Sequence, residues 1–225
     1  MSRALSIAGL AAALAACTGQ GIDRSHAVPV RASLAVRPVA DGDPWVGTVA
    51  ATAQGTLSAS GIEVVEEVMT SRSLPPVRSQ RIHAREKPAL VELARRAGPA
   101  PAGLAVAYER ERDDWWGLVV VRVDEGMELS PATAVTLAWA EEPGRRPDPE
   151  GVYLLLDRDD GEQFETLTIE HDGRRLASLA GEEVLMAPTV QEPIGGGQLL
   201  VSPGAGASAT DLYERLTGLD APPRP

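Results

Sequence analysis

Three closely spaced carboxylates are the first residues of this chain that could do chemistry. Asp157, Asp159 and Asp160 stand just before Gly161, an arrangement that has some features of a calcium-binding loop. The Ca²⁺ template requires glycine at position six and an acid at position twelve. Counted from Asp157, glycine falls at position five and Thr168 occupies position twelve. We therefore expect a solvated turn and a helix cap here, and no metal site.

Other kinds of catalytic residue have no supporting pattern either. His26, His83 and His171 are far apart and lack the short spacing of a zinc site. The chain has no G-x-S-x-G motif, and the glycines at 195–197 lack the Lys and Ser or Thr that complete a phosphate-binding P-loop. We expect no cofactor and no catalytic residue, so the prediction is a protein that is not an enzyme. An unrecognised kind of enzyme would need polar groups that converge in a pocket, which the sequence does not reveal.

Cys17, the only cysteine, belongs to a pattern with a chemistry of its own. Arg3 precedes an apolar run that is shorter than the roughly 18 to 20 residues of a membrane-spanning helix. The run ends in Leu14-Ala15-Ala16-Cys17, which matches the bacterial lipobox, where the cysteine is acylated and the chain is cut before it. We expect residues 1–16 to be a lipoprotein signal peptide, Cys17 to be lipidated and residues 17–30 to be a flexible tether. The alternative is an ordinary signal peptide with an accidental cysteine.

The lipobox predicts a location in the cell envelope, outside the cytoplasm. A lipoprotein cysteine carries two or three acyl chains, which anchor a protein stably without a spanning helix. Thr18 follows the cysteine where Asp would favour retention, so a Gram-negative host would place the protein at the outer membrane, facing the periplasm. In a Gram-positive host it would lie on the outer face of the plasma membrane. The net charge of −11 and the single lysine, Lys87, exclude a nucleic-acid partner, because phosphates demand clustered basic residues.

The sequence predicts the secondary-structure elements that must position these residues more clearly in some parts of the chain than in others. Arg31–Val39 alternates apolar and polar residues, as a half-buried strand does. Further on, the sequence predicts a short strand at Ile62–Met69 and a short helix at Ala89–Arg96. We treat residues 31–103 as an N-terminal region with strands whose structure the pattern leaves open. After it, Leu104–Tyr108 and Leu118–Val123 predict a pair of antiparallel strands.

The pattern of strands and helices is clearer in the C-terminal half. Ser130 and Pro131 are typical of a helix start, and Ala134, Val135 and Ala138 would form its buried stripe. The following chain reads as strand, helix, three strands and helix. The strands are expected at Val152–Leu156, Leu176–Leu179, Glu183–Met186 and Leu199–Val201, with helices that Asp160 and Ser208 cap and a last stop at Gly218. This order predicts an α+β fold in which a mixed β-sheet carries two helices on one face, preceded by a less regular β-containing region.

Four ordered submotifs in this half carry a family resemblance. They are Gly161, Phe164, Leu167 and Thr168; Gly173, Arg174, Leu176 and Ala177; Val184, Leu185, Ala187 and Pro188; and Val190, Pro193, Ile194, Gly196 and Gly197. With these gaps, residues 128–219 resemble the head subdomain of the first periplasmic domain of the protein-export subunit SecD. Upstream, Arg31–Val39 is similar to a strand of the same family. The resemblance implies a SecD head-like domain over residues 104–219, and we expect residues 220–225 to be a disordered tail.

The resemblance also implies a function, which departs from that of the family in one respect. The family couples proton flow through transmembrane helices to movement of the head, and nothing after Cys17 resembles such a helix. The expected function is therefore a lipid-anchored binding module that contacts unfolded secreted polypeptides or Sec translocon subunits. The alternative is a structural or assembly lipoprotein that docks to one stable envelope partner and has no role in export.

Two segments are candidates for the polypeptide-contact surface. Trp115 and Trp116 form an aromatic pair, which could equally serve core or dimer packing. The second segment contains Glu192, Pro193, Gly195, Gly196 and Gly197, and it is either a plain turn or a lip beside a sheet edge. At such an edge an extended polypeptide can add as a further strand through backbone hydrogen bonds.

The lipobox makes a testable prediction about Cys17. We expect Cys17→Ser to abolish acylation, because the hydroxyl cannot replace the thiol, and to move the protein from the membrane fraction to the soluble fraction of the envelope. Membrane fractionation and mass spectrometry of the N-terminal peptide measure both effects. Thr18→Ser is the control and should stay lipidated. A Cys17→Ser protein that keeps its lipid and its membrane attachment would refute the prediction.

Overall fold

The computed structural model describes residues 26–55, 61–70, 75–111, 115–138, 151–203 and 208–222. The predicted signal peptide, Cys17 and most of the predicted tether lie outside the described residues, as do the last three residues of the predicted tail. Within these ranges the fold is α+β, as predicted, and it contains four helices and two β-sheets. None of these helices is long and apolar enough to cross a membrane.

Local sequence explains where the helices begin. They are α1 (Pro44–Gln54), α2 (Lys87–Ala97), α3 (Arg158–Glu170) and α4 (Ala209–Thr217). Ser208 and Asp211 form the predicted capping box of α4, and Gly218 ends that helix with φ of 67°. Helix α3 is capped by Asp157, whose carboxylate accepts from the Asp160 amide, so the predicted cap at Asp160 was wrong by one helical turn.

The strands follow the predicted positions closely in most cases. They are β1 (Val28–Pro29), β2 (Leu34–Pro38), β3 (Ile62–Met69), β4 (Val77–Ala84), β5 (Leu104–Arg110), β6 (Trp116–Arg122), β7 (Met127–Glu128), β8 (Ala134–Ala138), β9 (Gly151–Leu155), β10 (Leu176–Ala180), β11 (Glu183–Met186) and β12 (Gln198–Val201). Helix α1 and strand β4 were not predicted. Both carry small or charged residues whose pattern is weak without their neighbours.

The predicted helix at Ser130–Ala138 is wrong, because Ala134–Ala138 forms strand β8. Its five residues pair with β9 in an antiparallel ladder, from Ala134 opposite Leu155 to Ala138 opposite Gly151. The Ser130 hydroxyl accepts from the Ala132 amide, so the Ser-Pro pair makes a tight turn and not a first helical turn. A short apolar run fits either period, and here pairing with β9 decided the outcome.

The smaller sheet is fully antiparallel, in the order β1-β8-β9-β12. One of its faces shares a core with the apolar side chains of α3 and α4, including Phe164 and Leu216. The residues of that face are Val135, Leu137, Val152, Leu154, Leu199 and Val201. Two helices thus pack on one face as predicted, although the sheet that they cover is not the mixed one.

The larger sheet is mixed, in the order β3-β4-β6-β5-β11-β10-β2-β7. Its neighbours are antiparallel except β5 and β11, which run parallel. Strands from both sides of residues 103 and 104 lie in this sheet, since β4 pairs with β6 and β2 pairs with β10. The sheet therefore crosses the boundary that was predicted between an N-terminal region and a head-like domain.

Five strands of the larger sheet close on themselves into a small barrel. Val39, just after β2, forms an antiparallel bridge with Val121 of β6, and the Ala40 amide donates to the Val120 carbonyl at 2.8 Å. This joins the two ends of the series β2-β10-β11-β5-β6. The interior side chains are Val39, Ala107, Val119, Val121, Ala177, Leu179, Val184 and Ala187. Alanines suit this interior because a barrel of few strands is narrow.

Helices α1 and α2 cover the outer side of this barrel at β5 and β6, together with the neighbouring strand β4. Trp45, Val49 and Leu90 from the helices pack with Ile82 and Val120 from the strands. The Asp43 carboxylate caps α1 by accepting from the Trp45 amide at 3.0 Å. The barrel therefore lies between two cores, one with α1 and α2 and the other with α3 and α4.

The narrow interior predicts that larger side chains destabilise the protein. We expect Ala177→Leu to lower the free energy of unfolding by about 1–3 kcal/mol or more, because Ala177 is fully buried among barrel side chains. Ala51→Leu on the exposed side of α1 is the matched control and should leave stability nearly unchanged. Urea unfolding measures both variants. Equal effects of the two substitutions would show that the barrel interior accepts extra volume.

Candidate functional site

A buried ion pair fixes the chain where β2 leaves the barrel. The Arg175 guanidinium donates to both carboxylate oxygens of Asp41, at 2.6 and 2.9 Å, and the Ser79 hydroxyl donates to the same carboxylate at 2.5 Å. Burial by itself lowers the pKa of Arg175, but the hydrogen bonds to Asp41 and the charges of Asp41, Glu109 and Glu67 raise it above its ordinary value. Arg175 therefore keeps its positive charge.

A second part of this polar network surrounds Glu111. The His83 Nδ1 atom lies 2.7 Å from Glu111 Oε2, and an Arg81 nitrogen lies 3.6 Å from Glu111 Oε1. Arg81 also lies 3.5 Å from the Glu67 carboxylate. Ser79, Arg81 and His83 are alternate residues of β4 and share one side of the hairpin β3–β4. The network thus ties this hairpin to the barrel.

Glu109 is the least satisfied member of the network. Its Oε1 atom accepts from the Ala187 amide at 3.2 Å, whereas its Oε2 atom is buried and accepts no hydrogen bond from any described residue. Burial, and secondly the charge of Glu111, raise the pKa of Glu109, while Arg81 and Arg175 offset part of this effect. Folding therefore favours the protonated form of this carboxyl relative to the unfolded chain.

The network does not form a catalytic constellation. The Ser79 hydroxyl donates to Asp41, and His83 lies four residues further along the same strand beside Glu111. A nucleophile and its base would need to be within hydrogen-bond reach of each other. Among the described residues, no cluster of three His, Cys, Asp or Glu side chains could hold a metal ion. The arrangement that is present stabilises structure by pairing buried charges.

The two predicted tryptophans lie at the start of β6. The Arg85 guanidinium stands over the Trp115 ring at 4.4 Å, and the Lys87 ammonium lies 5.3 Å from the Trp116 ring and 5.1 Å from the Tyr108 ring. Both tryptophans are half-buried, and Trp116 packs against the core of α1 and α2. For Trp116 this placement corresponds to the packing alternative.

The predicted loop segment lies against α3. Glu192, Pro193, Gly195 and Gly196 are exposed, and Gly197 is half-buried. The segment is held by Ile194, whose amide donates to the Thr168 hydroxyl at 2.9 Å, and by Gly197, whose carbonyl accepts from the Leu156 amide at 2.8 Å. It leads directly into β12, an edge strand of the smaller sheet. The tryptophans and this loop therefore pack against different cores.

A small cavity nevertheless connects Trp116 with the chain that leaves β12. It has a volume of about 210 Å³, and one of its lining residues is Pro203, two residues after the end of β12. Its lining residues are Arg110, Trp116, Glu183, Val184, Leu185, Pro203, Asp211, Leu212 and Arg215. Arg215 and Glu183 pair across it at 3.1 Å. Of the predicted contact residues, only Trp116 lines this cavity.

The strand β3 presents the longest edge of either sheet. The other edge strands, β1, β7 and β12, have two to four residues, whereas β3 has eight and pairs along its whole length with β4. On its opposite side no described strand pairs with it, and we call this side the free edge of β3. Val65 and Val68 are 38% and 63% exposed there. Such edges are usually short or covered, because they can pair with another chain.

The strand at Ile62–Met69 was predicted, but its position at an edge was not. The signal was present in its three glutamates, Glu63, Glu66 and Glu67, which fall on both faces of the strand. Charges on both faces are unusual in a strand with neighbours on each side and are one way in which proteins protect an edge. The edge is the feature that sequence reasoning missed.

Glu109 makes a prediction about stability and pH. Because its pKa is raised in the fold, the unfolded chain ionises first, and stability is lost as pH rises from the ordinary value of 4.5 through the raised one. Glu109→Gln, whose side-chain oxygen can still accept from Ala187, should remove this loss. We expect urea unfolding to show the variant gaining stability over the natural protein as pH increases from 4 to 7.

The control for this measurement is Glu182→Gln in the exposed turn between β10 and β11. It should give a pH profile parallel to that of the natural protein. A parallel profile for Glu109→Gln as well would mean that Glu109 does not titrate differently in the fold.

Comparison with known proteins gives no relative from which function could be transferred. No family model, no curated protein and no solved structure matches this chain. The resemblance to the SecD head rests on the residues of the sequence and remains a prediction. The functional conclusion has to come from the geometry of the chain itself.

Proposed function

We propose that this protein is a lipid-anchored module outside the cytoplasm that binds extended polypeptide segments by strand addition to β3. One observation carries the proposal, namely the eight-residue free edge of β3 with its exposed Val65 and Val68. A peptide that adds to such an edge gains main-chain hydrogen bonds whatever its sequence. This suits a protein that meets many different chains.

The hairpin that carries the edge is held rigidly. Ser79, Arg81 and His83 of β4 bond to the polar network on one side of the hairpin. On the other side Ile62 and Ile82 pack under helix α1 in a shared core. A preorganised edge loses little conformational entropy when a segment binds. Rigidity on both faces therefore supports a binding role for β3.

The location of the protein supports the choice of partner. The lipobox at Cys17 and the tether would keep the folded body near a membrane that secreted chains cross in an unfolded state. The resemblance of residues 128–219 to the SecD head favours the same class of partner. We therefore propose secreted polypeptides in transit as the principal ligands and Sec translocon subunits as neighbours of the anchored protein.

Photo-crosslinking in cells tests this function. The photoreactive residue p-benzoylphenylalanine replaces Val65 or Val68 in the full-length protein, and mass spectrometry identifies the captured chains. Val91 on α2 and Ile169 on α3 are matched controls, because they are 45% and 55% exposed apolar residues away from the edge. We expect many different exported polypeptides from Val65 and Val68 and few from the controls.

Two results would contradict the proposal. Equal capture from Val91 and Ile169 would show that the edge of β3 is not a binding surface. One recurrent envelope protein, captured to the exclusion of exported chains, would instead establish the structural or assembly role that the sequence left as the alternative.

A further inference from the structure

We infer that the segment that adds to β3 carries basic side chains in a fixed order, opposite Glu63, Glu66 and Glu67, with apolar side chains opposite Val65 and Val68. This inference rests on the proposed function and specifies its ligand. Side chains that lie directly opposite each other on neighbouring strands are in contact, so the residues of β3 select those of an added strand.

The two faces of β3 present different side chains to an added strand. Glu63, Val65 and Glu67 point to the face of the polar network, whereas Val64, Glu66 and Val68 point to the face of helix α1. An added strand therefore meets acid, apolar and acid on one face, and apolar, acid and apolar on the other. Basic residues are needed on both faces of the ligand, which an alternating charge pattern cannot provide.

The glutamates of β3 keep acceptor capacity for a ligand. Glu63 and Glu66 are exposed, and among the described residues no ion pair involves either of them. Glu66 has only a 3.5 Å hydrogen bond from the Gln80 amide, and Glu67 has Arg81 at 3.5 Å. A carboxylate has two oxygens and about four acceptor sites, so each can accept from a Lys or Arg of an added strand.

A second copy of this chain fits the edge poorly. Antiparallel pairing of two β3 strands about their centre would place Val65 opposite Glu66 and Glu63 opposite Val68. The three glutamates of each copy would then lie at the same interface, where glutamates of the two copies would be diagonal neighbours with like charges. The overall charge of −11 adds to this repulsion. A basic, extended segment of another polypeptide is the occupant that the charges favour.

The register of an added strand against β3 determines the order of residue types in the ligand. For antiparallel addition, the ligand reads apolar, basic, basic, apolar, apolar, basic from its N-terminus, opposite residues 68 back to 63. The matched probe is the peptide Thr-Val-Lys-Lys-Val-Val-Lys-Thr. Its first control, Thr-Lys-Val-Lys-Val-Lys-Val-Thr, has the same composition but places all lysines on one face. Two further controls replace the lysines of the matched probe by glutamate or by threonine.

Fluorescence anisotropy with labelled peptides and the full chain tests the inference. We expect the matched peptide to bind about tenfold or more tightly than the alternating and threonine peptides, and the glutamate peptide to bind weakest. The variant with Glu63→Lys and Glu67→Lys should invert this order and favour the glutamate peptide. The control variant with Glu162→Lys and Glu165→Lys, on the exposed side of α3, changes the net charge equally and should keep the original order.

The outcomes separate the inference from the proposed function. If the matched, alternating and threonine peptides bind equally, or if both double variants weaken binding alike, the ordered charge pattern is overturned while strand addition stands. If none of the peptides binds and Val65 and Val68 capture no exported chain, the proposed function itself fails.

Discussion

The segment Val39–Asp41 bonds to two distant parts of the chain at once, and the rest of the fold depends on this. The Val39 amide donates to the Arg175 carbonyl at the start of β10, while Val39 and Ala40 pair with β6 on the other side. Asp41 then meets the Arg175 side chain in a buried ion pair. Breaking such a pair costs about 3–5 kcal/mol because it leaves an uncompensated buried charge. The backbone bridge and the ion pair together close the barrel and fix where both cores lie.

The same closure limits how far the hairpin β3–β4 pairs with the barrel. Strand β6 pairs with β4 only from Trp116 to Leu118, and its next residues, Val120 and Val121, pair with the chain that follows β2. Strand β4 must therefore diverge from β6, and the remainder of the hairpin extends away from the barrel wall. Its polar side lies on the network around Glu111 and Asp41, and its far strand is left without a second neighbour. Barrel closure thus decides where β4 leaves β6, and β3 is an edge strand because it lies on the far side of β4.

The charged groups of the described residues include buried pairs and an exposed acidic edge strand. The buried Asp41 is paired with Arg175, and His83 is paired with Glu111. The free backbone groups of β3 and its exposed Glu63 and Glu66 lie on one edge strand, where main-chain bonds supply affinity and side chains supply selectivity. The acidic residues also limit pairing between copies, so one set of charges protects the edge and selects a basic ligand.

The sequence by itself determined the local elements: strand Ile62–Met69, the capping box of α4, and the α+β class all follow from period, capping and turn chemistry over short stretches. It failed at Ala134–Ala138, where the same apolar residues fit a helix or a strand until β9 pairs with them. Only the tertiary structure decided that Val39 meets Val121 and that β3 lies at an edge. Those facts depend on contacts between residues far apart in the chain, and no local pattern records which of several possible partners a strand will pair with.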